Sequence, residues 1–244
     1  MKKYELTNET IKYGGKNLYR IKALIDFGNV KKGTRGGFIE KEENLSASGN
    51  AWVSGDAWVC DNAQVSGNAL VSGEAKVYDD AKVSGNALVS GDAKVYDDAK
   101  VYGNAKVSGN AWVSGDAQVC GDVWVCGNAW VCGNAWVSGD AHVCGNAKVS
   151  GEAKVSGEAK VCSDAWVYKN IDHAEINGFG TRGRHTTFFR CKDKTVKVSC
   201  GCFLGTIDEF RNQVKNTREG KIAKEYLMIA DLMELHFSED GYDD

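Results

Sequence analysis
The sequence predicts a mainly β solenoid, a rod of short stacked strands, on three observations. A valine recurs every six residues from Val53 to Val167 without a miss, which makes 20 consecutive hexads. The triplet that holds each valine alternates in period two, as a half-buried strand requires. Glycine numbers 29 in 244 residues and proline is absent. Glycine at fixed spacing marks repeated turns within one regular structure; without the spacing, such a composition would read as disorder.

The repeating unit is Ala-x-Val-Ser-Gly-Asn, with Asp or Glu often replacing Asn and Cys or Tyr often replacing Ser. Ala and Val are expected to point inward and x outward. Ser-Gly-Asn forms a corner, where Gly and Asn tolerate positive φ. Three hexads then close one triangular coil of 18 residues. Nearly seven coils, about 4.8 Å apart, make a prism roughly 30–35 Å long. Each buried Val contributes about 1.5–3 kcal/mol, against about 1–2 kcal/mol for ordering each residue's backbone. A lone coil therefore cannot stand, and stability is cooperative along the stack. Open ends would expose strand edges, so both flanks are expected to be caps.

The x positions fall into three ladders. One carries Trp52, Leu70, Leu88, Lys106, Trp124, His142 and Lys160; the second carries Trp58, Lys76, Lys94, Trp112, Trp130, Lys148 and Trp166; the third carries Gln64, Lys82, Lys100, Gln118, Trp136 and Lys154. All seven tryptophans are thus expected to face outward. Trp58, Trp112, Trp130 and Trp166 share one face and are candidate contacts with another copy of the chain, a trimer ahead of a dimer. Shielding of the neighbouring rungs and stacking on a sugar or base are the other readings. Asn50, Asn68, Asn86 and Asn104 align as an amide ladder. Asp61, Asp79 and Asp97 align as a corner column that reads as solvated, with divalent-cation binding as the alternative. Cys126, Cys144 and Cys162 also share a column; parallel side chains at coil spacing are expected to be unbridged corner fillers.

The flanks differ from the array. Residues 1–45 read as a β-hairpin cap, with Thr10–Tyr13 and Leu18–Ile21 around the turn residues Gly14-Gly15-Lys16-Asn17. The β-helix is assigned to residues 46–175. Residues 176–244 read as a small α+β module with an acidic tail. Thr186–Cys191 and Thr195–Cys200 make a hairpin there, and Thr206-Ile207-Asp208-Glu209 is a capping box opening a helix. Ile207, Phe210 and Val214 line one face of that helix. Ile222, Tyr226, Ile229 and Met233 line a second helix. Arg182, Arg184, His185 and Arg190, in and after the run Gly178–His185, are candidate ligands for an anion; the simpler reading of that run is a solvated linker between prism and module. Cys200 and Cys202 are expected on one side of a strand end, where a buried thiol explains them better than zinc.

The array resembles the left-handed parallel β-helix of hexapeptide-repeat proteins, in which a small residue follows an aliphatic one four positions on, as Ala57 follows Val53 and Ala63 follows Val59. The resemblance implies the left hand; a right-handed, bactofilin-like helix stays open. Asp26–Glu40 with Glu43–Ser46 resembles the leading segment of hexapeptide-repeat proteins from phages, prophages and bacteria, often called polymer-forming cytoskeletal proteins. Together with the array the likeness covers about 170 residues. The run Val198–Phe203 with Gly205-Thr206 resembles a terminal module of such phage proteins. Related left-handed helices include trimeric acyltransferases and gamma-type carbonic anhydrases. Those enzymes need a loop-borne histidine or several converging histidines, whereas the array holds His142 alone and no loop insertion.

Charge excludes some partners. The net charge is +4 over residues 1–45, −5 over 46–170 and −2 over 171–244, so nucleic acid is not an expected partner. No apolar run suits a membrane helix, and the N-terminus lacks a secretory pattern. The nine cysteines read as free thiols in a reducing cytoplasm. The expected whole is a non-enzymatic cytoplasmic scaffold without cofactor or metal. Its module is expected to engage a host protein or a small anion, the resemblance suggesting a protein or nucleotide signal of antiviral defence. A self-assembling structural protein and a loop-free acyltransferase relative are the alternatives.

Overall fold
In a computed structural model the chain is described over residues 2–180 and 183–238. The hexads form twenty two-residue strands, from β4 (Trp52–Val53) to β23 (Trp166–Val167). Each strand up to β20 pairs in parallel with the strand 18 residues further on, as Leu88 with Lys106 and Val89 with Val107. Three sheets result, one per expected ladder. The inward alanines and valines of the array are all buried, because alternation puts Ala and Val on one side of each strand and the largely polar x residue on the other.

Corners depart from expectation in one respect. Within each corner only the glycine position is left-handed, with φ of 68°, 70° and 75° at Gly67, Gly85 and Gly103 and 62° at Ser163, which replaces a glycine. The asparagine beside it needs no such freedom and instead bonds to its copy in the next coil, Asn50 to Asn68 at 3.1 Å and Asn68 to Asn86 at 3.0 Å. Asp61, Asp79 and Asp97 occupy glycine positions with φ near 60°. Their carboxylates already have partners: Asp97 N–H donates to Asp79 at 3.4 Å, Gly115 N–H donates to Asp97 at 2.9 Å, and Lys16 pairs with Asp61.

The ladder has a direction. The outward residue and corner serine of each coil donate N–H to carbonyls of the next, as Leu88 to Ala105 and Ser90 to Val107, both at 2.9 Å. The valine N–H runs the other way, so toward the cap each side of the first coil turns two carbonyls and one N–H, and toward the module the last coil turns two N–H groups and one carbonyl. The first cap must mainly donate and the second mainly accept.

Donors cover the first coil. Strands β1 (Tyr4–Tyr13), β2 (Lys16–Ala23) and β3 (Arg35–Ile39) extend one prism sheet, and β3 runs parallel to the Trp58–Val59 rung. The β1–β2 turn is the two residues Gly14-Gly15, with φ of 55° and 80°, tighter than the expected four. That conformation suits a two-residue hairpin. Lys3 Nζ donates to Ala51 O at 2.9 Å, and Asn44 Nδ2 donates to Asp61 O and Ala63 O at 3.0 and 2.9 Å. Gly36 and Gly37 let β3 approach closely, since a Cβ on Gly37 would lie 2.4 Å from Ala57 O.

Acceptors cover the last coil. Asn170 Oδ1 takes the Lys154 N–H at 2.8 Å, and Thr187 Oγ1 takes that of Lys160 at 3.0 Å. Thr187 belongs to a four-stranded antiparallel sheet of β24 (His173–Phe179), β25 (Arg184–Arg190), β26 (Val196–Cys200) and β27 (Phe203–Thr206). Strand β25 serves both halves: Phe189 joins the prism core and Phe188 the module core, because successive side chains point to opposite faces. Helices α1 (Ile207–Thr217) and α2 (Gly220–His236) cover the module's side of this sheet. The Thr206–Glu209 capping box forms as the sequence predicts, with reciprocal bonds of 3.2 and 2.7 Å. No helix among the described residues is long and apolar enough to cross a membrane.

Two expectations about cysteine are corrected. Cys144 and Cys162 are joined in a disulfide, their Cα atoms 4.6 Å apart. Adjacent coils lie within bridging range at this corner, so parallel placement does not keep the thiols separate. Cys200 is buried at the end of β26, while Cys202 is exposed in the turn that follows; the turn at Gly201 breaks the alternation that would have kept them on one side.

Replacing Asn44 by Leu should destabilise the chain by about 2–4 kcal/mol in urea unfolding, because two buried carbonyls lose their donor. The exposed Asn50→Leu should change stability by less than about 1 kcal/mol. Burial also lowers the Lys3 ammonium from 10.5 to about 8. The unfolded chain then binds more protons between those values, so stability should rise with pH from about 8. Lys3→Met should flatten that rise over pH 8–10 in thermal melts.

Candidate functional site
The outward tryptophans of the prism are mostly occupied within the chain. Lys94 lies 4.3 Å from the Trp112 ring, Lys106 4.6 Å from that of Trp124, and Lys148 4.7 and 5.5 Å from Trp130 and Trp166. The ladder spacing brings each cation over an indole on an adjacent rung, an attraction of about 0.5–1 kcal/mol at exposed sites. Trp58 is withdrawn from the exposed face: it is buried under the cap, with Tyr13 at 4.1 Å. Trp52 is covered likewise, with Phe27 at 5.4 Å. The outward direction was right, but the cap lies over the first two rungs. Trp112 is half-buried and meets Trp130 edge-on at 5.6 Å. Trp130 and Trp166 are 36% and 39% exposed and flank a shallow slot of about 390 Å³ that includes Lys148 and Lys192.

The prism's chemistry-bearing residues have structural partners. His142 stacks on Trp124 at 5.2 Å; burial, with Lys160 beside it, lowers its pKa. Glu40, Cys60 and Asp61 converge with ligand atoms within 4.8 Å of one another. The Lys16 ammonium lies among them, 3.7 Å from Glu40 and paired with Asp61, and burial pushes the Cys60 thiol up to about 12. A cation is already supplied by the chain, and the thiol stays protonated.

The run Gly178–His185 is not a linker. Its described residues close the β24–β25 hairpin, whose strands pair because both carry residues for the module core. Arg182 lies outside the described residues. Of the other three candidates, Arg184 and His185 border one cavity at the seam with the prism, and Arg190 lies apart. His185 is bracketed by Glu175 at 2.7 Å and Glu158 at 3.3 Å. At the far end of β25, Arg190 pairs with Asp172 at 3.3 Å and donates to Phe237 O at 3.1 Å. Arg184 lies over Gly201, where a Cβ would meet its Nη1 at 2.8 Å. It borders two cavities. One, of about 280 Å³, has Phe203, Phe210 and Tyr226 in its wall, with Arg218 and Gln213 beside Arg184. The other, of about 530 Å³, lies at the seam with the prism, where Glu158 and Lys160 face Arg184 and Cys202.

Sequence reasoning missed two features of the module. Arg218, at the α1–α2 junction, joins Arg184 across a turn that no local motif announces. Met228, Leu232 and Leu235 are 71%, 55% and 71% exposed and lie on one face of α2 at i, i+4 and i+7. Their signal was present: α2 has an apolar stripe beyond the one used by Tyr226, Ile229 and Met233.

A family model described as the YdcK beta solenoid repeat matches residues 63–79 and 99–115. Both stretches lie in the prism, so the likeness concerns the repeat. No curated protein matches the chain.

Among the unbridged cysteines Cys202 alone is exposed. Brief alkylation followed by peptide mapping should label Cys202 first and leave Cys60, Cys191 and Cys200 largely unmodified until the chain unfolds.

Proposed function
We propose that this β-solenoid protein is a non-enzymatic scaffold whose terminal module carries the surface that engages a protein partner. One observation carries the reading: the most exposed large apolar side chains are Met228 and Leu235 of α2, not the prism's tryptophans. A stripe of three such residues is the pattern by which a helix enters or receives an apolar groove. The prism supplies rigidity. Its inner column is Val and Ala, its corners are tied by amide ladders, and its lysines lie over its indoles.

The likeness of the leading segment and array to phage and prophage proteins favours a host protein as the partner, in a bacterial cytoplasm, with antiviral defence as its setting. Self-assembly of a bactofilin-like kind is the second reading, favoured by the exposed Trp130–Lys148–Trp166 slot. An acyltransferase ancestry without activity is the third, and the unbroken run of hexads supports the absence of turnover.

The full chain is required for the test, because β25 closes the prism and truncation would open it. Light scattering and capture from bacterial lysate should compare wild type with Met228→Lys/Leu235→Lys and with Trp130→Lys/Trp166→Lys. The α2 pair should abolish partner capture, and the Trp pair should leave it intact. Loss of self-association in the Trp pair alone would replace this reading with assembly through the prism. Acyl-CoA transfer or CO2 hydration abolished by His142→Ala would overturn the non-enzymatic reading.

A further inference from the structure
Six arginines of the cap and module lie among the described residues, and their partners divide them. Arg20 and Arg35 pair with Glu9, Arg190 with Asp172, and Arg211 with Asp208, Asp231 and Glu234. Among the described residues no carboxylate lies within ion-pair range of Arg184 or Arg218. Both border the same cavity of about 280 Å³. Arg184 is half-buried, so without an anion it loses hydration and gains no charge partner in return. Arg218 is exposed and, among the described residues, its guanidinium donates only to Thr217 O at 3.1 Å, which leaves its charge free to act at the same cavity.

The walls narrow the chemistry further. Phe203 and Phe210 have ring centroids 5.6 Å apart, and Phe210 meets Tyr226 edge-on at 5.8 Å. These rings form a continuous apolar wall below the two charges. The Tyr226 hydroxyl is held by Phe179 O at 3.2 Å, which keeps it from serving as a free polar group in the cavity. Both arginines act electrostatically on that phenol, against the upward push of burial, so the two charges reach the same region. Gln213 adds an exposed amide at the rim.

Resting on the reading that the module is the binding part, we propose that this cavity binds a small organic anion with a planar ring, its phosphate or carboxylate held by Arg184 and Arg218 and its ring laid on the Phe203–Phe210–Tyr226 wall. Guanidinium groups suit both head groups, since each offers a planar fork of donors to paired oxygens. The volume is near the lower end for ligand pockets, so the occupant is a one-ring molecule or the exposed end of a larger one. Arg190, engaged with Asp172, takes no part.

Calorimetric titration of the full chain at low salt tests this with phenyl phosphate, benzoate and inorganic phosphate. One ring-bearing anion should bind one per chain, at least about tenfold more tightly than inorganic phosphate. Whether phenyl phosphate or benzoate is preferred identifies the head group. Arg184→Gln and Arg218→Gln should each weaken binding about tenfold or more, with Arg190→Gln unchanged, and the bound anion should slow alkylation of Cys202. Arg218 is exposed, so its variant should fold even if that of Arg184 disturbs the Gly201 turn; circular dichroism checks both. Failure of both ring-bearing anions to bind, equal binding of inorganic phosphate, or wild-type affinity in a folded Arg218→Gln overturns the proposal. The α2 stripe is not varied in these titrations, so the cavity can fail while the partner surface stands, and the reverse.

Discussion
The rest of this structure depends on one directional constraint. In a parallel coil the outward residue gives its N–H to the next coil and never to the previous one, as Leu88 does to Ala105. Repetition carries that polarity from end to end. The valine N–H runs the other way, so the first coil has an excess of acceptors and the last an excess of donors, and neither end can be buried bare. Lys3, Asn44 and the β3 amides answer the first; Asn170 and Thr187 answer the second.

The same repetition explains the surface. Any property placed at x recurs in a column, so a lysine and a tryptophan in one ladder come within cation–π range without further design. Asn and Asp columns at the corners gain hydrogen bonds in the same way. A surface whose groups satisfy one another is well suited to a rigid support. The module does the opposite: it leaves two arginines without carboxylates among the described residues and an apolar stripe on α2 uncovered.

Prism and module are mechanically one at β25. Its alternation sends Phe189 into the prism core and Phe188 into the module core, and Thr187 closes a rung on the prism side. His185 adds a link from the module to Glu158 of the last coil. Binding at the module would therefore be felt at the end of a stiff rod rather than on a tether.

The sequence by itself determined the coil, its three ladders, the inward alanines and valines, the amide column and the Thr206–Glu209 helix start. Each depends on residues a fixed few positions apart, and short-range geometry sets where their side chains point. Direction is not environment, and there the tertiary structure decided. Trp52 and Trp58 point outward and are buried, because the cap lays Phe27 of the β2–β3 connection on the first and Tyr13 of β1 on the second. Cys144 and Cys162 are bridged because adjacent coils approach to 4.6 Å between Cα atoms at that corner. Arg190 and Arg184 lie on one strand, yet Asp172 neutralises the first and no described carboxylate reaches the second. Arg218 joins Arg184 at a cavity only because α1 folds back over the sheet. Pairing across long loops depends on which surfaces meet, and periodicity does not encode that.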